Sequence, residues 1–143
     1  MIRKYLVVSL IAAALCLTGA SYVAATPISL TETEEAAMAN EPALTQAEID
    51  QFIAFGPELV AAGESPEEDA VDKVSQKAGW SRIRTAYIGS KIGLGYSMLI
   101  DPEGTRAIVD MGLIPPGYMP TESEQELIKQ NFEALDKMIQ SAQ

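Results

Sequence analysis

Residues 80–100 read WSRIRTAYIGSKIGLGYSMLI, and the reading of this stretch decides the fold. At helical spacing, Trp80, Ile83, Tyr87, Leu94 and Met98 form one apolar stripe. Ala86, Ser90, Gly93 and Ser97 follow the same spacing, with Gly89 beside them, and give a strip of small side chains. Such a strip lets a neighbouring backbone approach closely, so the stretch suits the centre of a helical bundle and predicts helix from about Trp80 to Leu99.

A strand reading competes with it. Ile92, Leu94, Tyr96, Met98 and Ile100 also alternate, Asp101-Pro102-Glu103-Gly104 is a good turn, and residues 105–111 (TRAIVDM) would supply a returning strand. That alternative is an α+β fold with a β-hairpin at about 92–111. The glycines at 89, 93 and 95 favour it, each costing a helix up to ~1 kcal/mol relative to alanine. Against it, an isolated hairpin is marginal, and no other segment reads as a strand able to join it. The expectation is therefore an all-α domain, a small bundle of about four helices, with a short helix near Pro102 to Met111.

Upstream of the central stretch, Ser65-Pro66-Glu67-Glu68 has the order of a helix start: cap, proline at the first position, then acids near the positive end of the dipole. Val71, Val74 and Ala78 give that helix a thin apolar face, and Gly79 suits the left-handed residue that ends it. An earlier helix opens on the capping box of Thr45 and Glu48, with Leu44 and Ile49 in staple positions. Gly56-Pro57 predicts a kink or a break in it, because proline lacks a donor and clashes with the preceding turn. Downstream, residues 112–120 (GLIPPGYMP) read as an extended surface loop. A last helix starts at Thr121 or Ser123, with apolar positions at Leu127, Ile128, Phe132, Leu135, Met138 and Ile139 and an i,i+4 pair of Glu133 with Lys137.

The N-terminal part reads differently. Arg3 and Lys4 precede an uncharged apolar run, and Val23-Ala24-Ala25 offers small residues where a signal peptidase cuts. Residues 1–25 are expected to be a signal peptide, residues 26–43 an acidic disordered linker, and residues 44–141 the helical domain. Left uncleaved, residues 5–25 would be long enough to anchor the chain in a membrane. Leu15 is a poor residue to precede a lipidated cysteine, so Cys16 reads as part of the apolar run. The expected location is secreted or periplasmic.

Composition narrows the chemistry. Cys16 is the only cysteine, so the exported domain would have no disulfide. The chain contains no histidine, which removes the commonest zinc ligand and the usual general base. Ten basic residues face twenty acidic ones, and loss of Arg3 and Lys4 would take the net charge from −10 to −12. A surface of that sign repels phosphate backbones, so nucleic acid is not an expected partner.

The glycine-rich GSKIGLG at 89–95 lacks the spacing of a phosphate loop. Glu64, Glu67, Glu68, Asp69 and Asp72 do not follow the ligand order of a calcium loop, so no cofactor or metal is expected. Pro115-Pro116-Gly117-Tyr118 fits a motif read by proline-binding modules, but a structural loop explains it better in an exported chain. Ser90 beside Lys91 is a poor catalytic pair, because adjacent helical residues point in different directions. The one positive concentration is Lys73, Lys77, Arg84 and Lys91, which would line one face of a continuous helix, with Arg82 nearby. These four are the candidate anion-binding residues; internal pairing with acids is the plainer account.

The expected function is that of a non-catalytic, small exported binding or accessory protein of the cell envelope, its partner an unidentified protein or a small anionic ligand. One rival is an enzyme acting on an anionic substrate through residues 80–100. Another is a structural homo-oligomer packed through the small-residue strip.

Overall fold

The computed structural model describes residues 30–114 and 116–142. Among them the fold is all-α: seven helices and no strand. They are α1 (Glu32–Met38), α2 (Gln46–Glu64), α3 (Ala70–Ala78), α4 (Arg82–Ile100), α5 (Pro102–Asp110), α6 (Glu122–Gln130) and α7 (Phe132–Ser141), with a 3-10 turn at Pro116–Tyr118. Seven helices replace the four or so expected, and the differences in number or in bounds lie at three places.

The first is the segment expected as a linker. Over residues 30–43 it carries α1, opened by a capping box in which Thr31 and Glu34 satisfy each other's backbone donors. Leu30 and Met38 are both buried, and α1 packs on α4. A short acidic helix gains from two buried apolar side chains only once a partner surface exists, so the composition of 26–43 hides it. The second is the start of α3. Ser65 ends α2 in extended conformation, its hydroxyl accepts from the Glu67 N–H at 3.2 Å, and the helix begins at Ala70 behind Asp69. The third is Asn131, where the expected last helix divides into α6 and α7. Asn131 and Gln46 exchange side-chain amide bonds at 2.8 and 2.9 Å, tying that division to the start of α2. The Glu133–Lys137 ion pair is not formed among the described residues.

At Thr45, Thr121 and Gly79 the expected boundaries hold. Thr45 with Glu48 and Thr121 with Glu124 form complete capping boxes. Gly79 ends α3 in the left-handed conformation, at φ +79°. The Trp80 N–H then reaches back to the Ser75 carbonyl at 2.9 Å. Trp80 is buried, and its indole N–H donates to Gln51, whose own amide caps the Ala78 carbonyl. Helix α2 runs unbroken through Pro57, so the expected break is absent. Beside the proline, Gly56 lies against Met138 of α7 so closely that a Cβ would collide with its thioether.

The hairpin alternative at 92–111 is replaced by α4 and α5. Helix α4 packs against α1, α2, α3, α5, α6 and the 3-10 turn, and every residue from Tyr87 to Ser97 is buried. A helix enclosed on all sides has no polar face, which is why its sequence shows alternation as readily as a helical stripe. The glycines are used: at Gly95 a Cβ would run into Ile128 and Gln125 of α6, and the Gln125 amide donates to the Gly95 carbonyl at 3.0 Å. Of the small-residue strip, Gly89, Ser90, Gly93 and Ser97 are buried within the chain itself and Ala86 is partly buried.

The expected signal peptide at 1–25, including Cys16, lies outside the described residues. Among the described residues no helix is long and apolar enough to cross a membrane.

Candidate functional site

Helix α4 carries two chemically distinct sites along its length. The first is a buried ion network on its N-terminal half. Arg84 lies one turn into the helix, behind the Ser81 cap, and points towards the start of α2. Its Nε and Nη2 make a two-pronged contact with Glu48 at 2.7 and 2.6 Å, while Glu41 lies 3.3 Å from Nη1. The carbonyls of Pro42 and Ala43 take further bonds from the same guanidinium. Burial opposes ionisation of Glu48, yet the Arg84 bond and the Thr45 N–H hold its carboxyl below the usual range.

One turn along, Tyr87 stands between two cations: the Arg84 guanidinium 4.7 Å and the Lys91 Nζ 4.9 Å from its ring centre. The Tyr87 hydroxyl donates to Glu124 at 2.7 Å. Glu124 is only 1% exposed; it accepts from the N–H groups of Leu44 at 2.9 Å and Thr121 at 3.0 Å and from the Tyr87 hydroxyl, and it forms an ion pair with the Lys91 ammonium at 3.4 Å. Lys91 also donates to the Met119 carbonyl. Burial would raise the pKa of Glu124, but the two backbone donors, the phenol and Lys91 outweigh it and bring it down to about 2. The same arrangement pushes the Tyr87 phenol well above its ordinary range, through burial first and the neighbouring Glu124 second.

This geometry separates the four candidate anion-binding residues. Gly79 breaks the helix between Lys77 and Arg84, so no common face exists. Lys73 and Lys77 are exposed on α3, paired with Glu67 and Asp69 and with Glu58 respectively. Arg84 and Lys91 are buried and paired with Glu48, Glu41 and Glu124. Arg82 pairs with Asp72 at 3.2 Å and lies 3.8 Å from Glu34 of α1. Every one of these cations therefore faces an acid of its own chain. Ser90, beside Lys91, spends its hydroxyl on the Tyr87 carbonyl at 3.0 Å. Tyr118 is buried, and the phenol is pushed up to about 12 by burial and by Glu35, so the Pro-Pro-x-Tyr tyrosine faces inward. No group of three or more potential metal ligands occurs among the described residues.

The second site is an apolar cleft of about 170 Å³ at the C-terminal end of α4, lined by Met98, Pro102, Thr105, Arg106, Val109 and Met119. Sequence reasoning missed it, because its walls come from α4, from one face of α5 and from the loop after the 3-10 turn. No pattern in the sequence joins these walls; in the structure Met98 is half-buried, after the buried run from Tyr87 to Ser97. A shallow groove adjoins it, sharing Met98 and bordered by Glu122, Gln125, Glu126 and Lys129.

Compared with models of protein families, with curated proteins and with solved structures, the chain matches none.

Proposed function

We propose that the protein is a small, exported, non-catalytic binding or accessory protein of the cell envelope, whose helical unit presents an apolar cleft to its ligand. One observation carries this reading: the charged side chains buried along α4 are all bound to one another, whereas the opening at its far end is walled by carbon. A reacting group needs a nucleophile or base with spare hydrogen-bonding capacity facing its substrate. Arg84, Tyr87, Lys91 and Glu124 have spent theirs on one another, on Glu48 and Glu41, and on backbone groups.

The test is a panel of metabolites added to the purified protein, followed by thermal unfolding and by NMR of each stabilising compound. A binding protein shows a raised Tm with the compound unchanged, since a ligand of the folded state stabilises by mass action. Consumption of the compound would select the enzyme instead. For the export step, N-terminal sequencing of the native protein should begin at or near Thr26. A full-length product retained in the membrane would replace cleavage with anchoring through residues 5–25.

A further inference from the structure

We propose that the cleft at the end of α4 binds a small amphipathic carboxylate, with its apolar group among Met98, Pro102, Val109 and Met119 and its carboxylate on Arg106. This rests on the binding reading above and adds the chemical class of the ligand.

Size sets the apolar part. The cleft holds about 170 Å³. Apolar cavities of ~150 Å³ admit benzene, so the space suits a group of about six carbons. Its walls leave little for a polar ligand. Met98 and Met119 are flexible thioethers that reshape around apolar groups. The Thr105 hydroxyl is engaged with the Asp101 carbonyl at 2.8 Å and with Ser97 at 2.9 Å.

Charge sets the other part. Among the described residues Lys73, Lys77, Arg82, Arg84, Lys91 and Lys129 each have an acidic partner. Arg106 has none, nor has Lys137 of α7, although acidic residues outnumber basic ones twenty to ten; of these two, Arg106 is the one that borders the cleft. Glu103 and Asp110 flank it one turn away on α5, yet neither reaches ion-pair distance. Arg106 is exposed and borders the cleft, so its guanidinium can meet an anion without losing an internal contact. A planar guanidinium matches a carboxylate in a two-pronged bond. An apolar cleft with one free arginine at its edge fits an acid with a short hydrocarbon group better than a sugar, a cation or a bare phosphate.

The experiment is an NMR titration of the purified protein with hexanoate, and with hexan-1-ol as the uncharged comparison, read at the methyl groups of Met98, Val109 and Met119. Hexanoate should shift these signals, and Arg106→Gln should weaken it at least about tenfold while leaving hexan-1-ol unchanged. Trp80 emission reports whether the variant is folded, and Val109→Phe, which fills the cleft, should weaken both compounds. No methyl shift with hexanoate at ~10 mM in folded protein overturns the proposal, as does an equal loss for acid and alcohol in Arg106→Gln. Hexanoate that binds but is consumed sustains the site and overturns the non-catalytic reading. Failure of hexanoate alongside a different stabiliser in the metabolite panel overturns the ligand class and sustains binding.

Discussion

The two ends of α4 solve opposite problems. Towards its N-terminus, Arg84 and Lys91 enter the interior, and each meets a carboxylate, further acceptors and the face of Tyr87. Past its C-terminus, Arg106 stays at the surface beside an apolar cleft and meets no acid among the described residues. The difference follows from desolvation. A charge removed from water costs several kcal/mol unless its partners are complete, so a buried network tolerates no spare group. A charge left in water costs nothing unpaired, so binding capacity is left over there.

Glu124→Ala should break the comparison most sharply. It strands the Leu44 and Thr121 N–H groups, the Tyr87 hydroxyl and the Lys91 ammonium together. The expected loss is ~3–5 kcal/mol by urea unfolding at neutral pH. A loss under ~1 kcal/mol would mean that water reaches the network and that the two ends of α4 do not differ as described.

Acid titration should reach the same group more gently. The pKa of Glu124 falls from its ordinary 4.5 to about 2 in the folded protein, so its contribution is fully present above pH 4.5. It is then lost as pH falls from 4.5 through about 2. The contribution is on the order of 3 kcal/mol. Glu124→Gln should flatten that part of the stability-against-pH curve, and an unchanged curve would assign acid sensitivity to other carboxylates.

Smaller again is Arg84→Lys, which keeps the charge and loses the two-pronged contact with Glu48 and the carbonyl bonds of residues 42 and 43. A loss of about 1–3 kcal/mol is expected, because an ammonium cannot reproduce the planar fork. At the far end of the scale, Arg106→Gln and Lys77→Gln should each unfold within about 0.5 kcal/mol of the parent, as exposed positions usually do. A large loss at Arg106 would show that it supports the fold and is not held in reserve.

Much of the helical framework was legible because its signals act over a few residues. Thr45 with Glu48, Thr121 with Glu124, and Gly79 each bind backbone groups within one turn, and each sets a boundary found in the structure. Gln46 and Asn131 show where that reach ends. At the division of the last helix an amide pair joins residues 85 apart, and neither residue announces the other in sequence.

By itself, then, the sequence determined an all-α domain with a central helix at about 80–99, a helix end at Gly79, and a surplus of acids with no histidine. Only the tertiary structure decided what the charges do. The four cations read as one stripe are divided by the αL turn at Gly79, two to the surface and two to the interior. Glu124 looks like half of a capping box, yet it also joins Leu44 across 80 residues and Tyr87 across 37. The physical reason is range. Capping and helical periodicity are settled by neighbours along the chain, whereas ion pairing, burial and the walls of a cleft are settled by which distant surfaces meet.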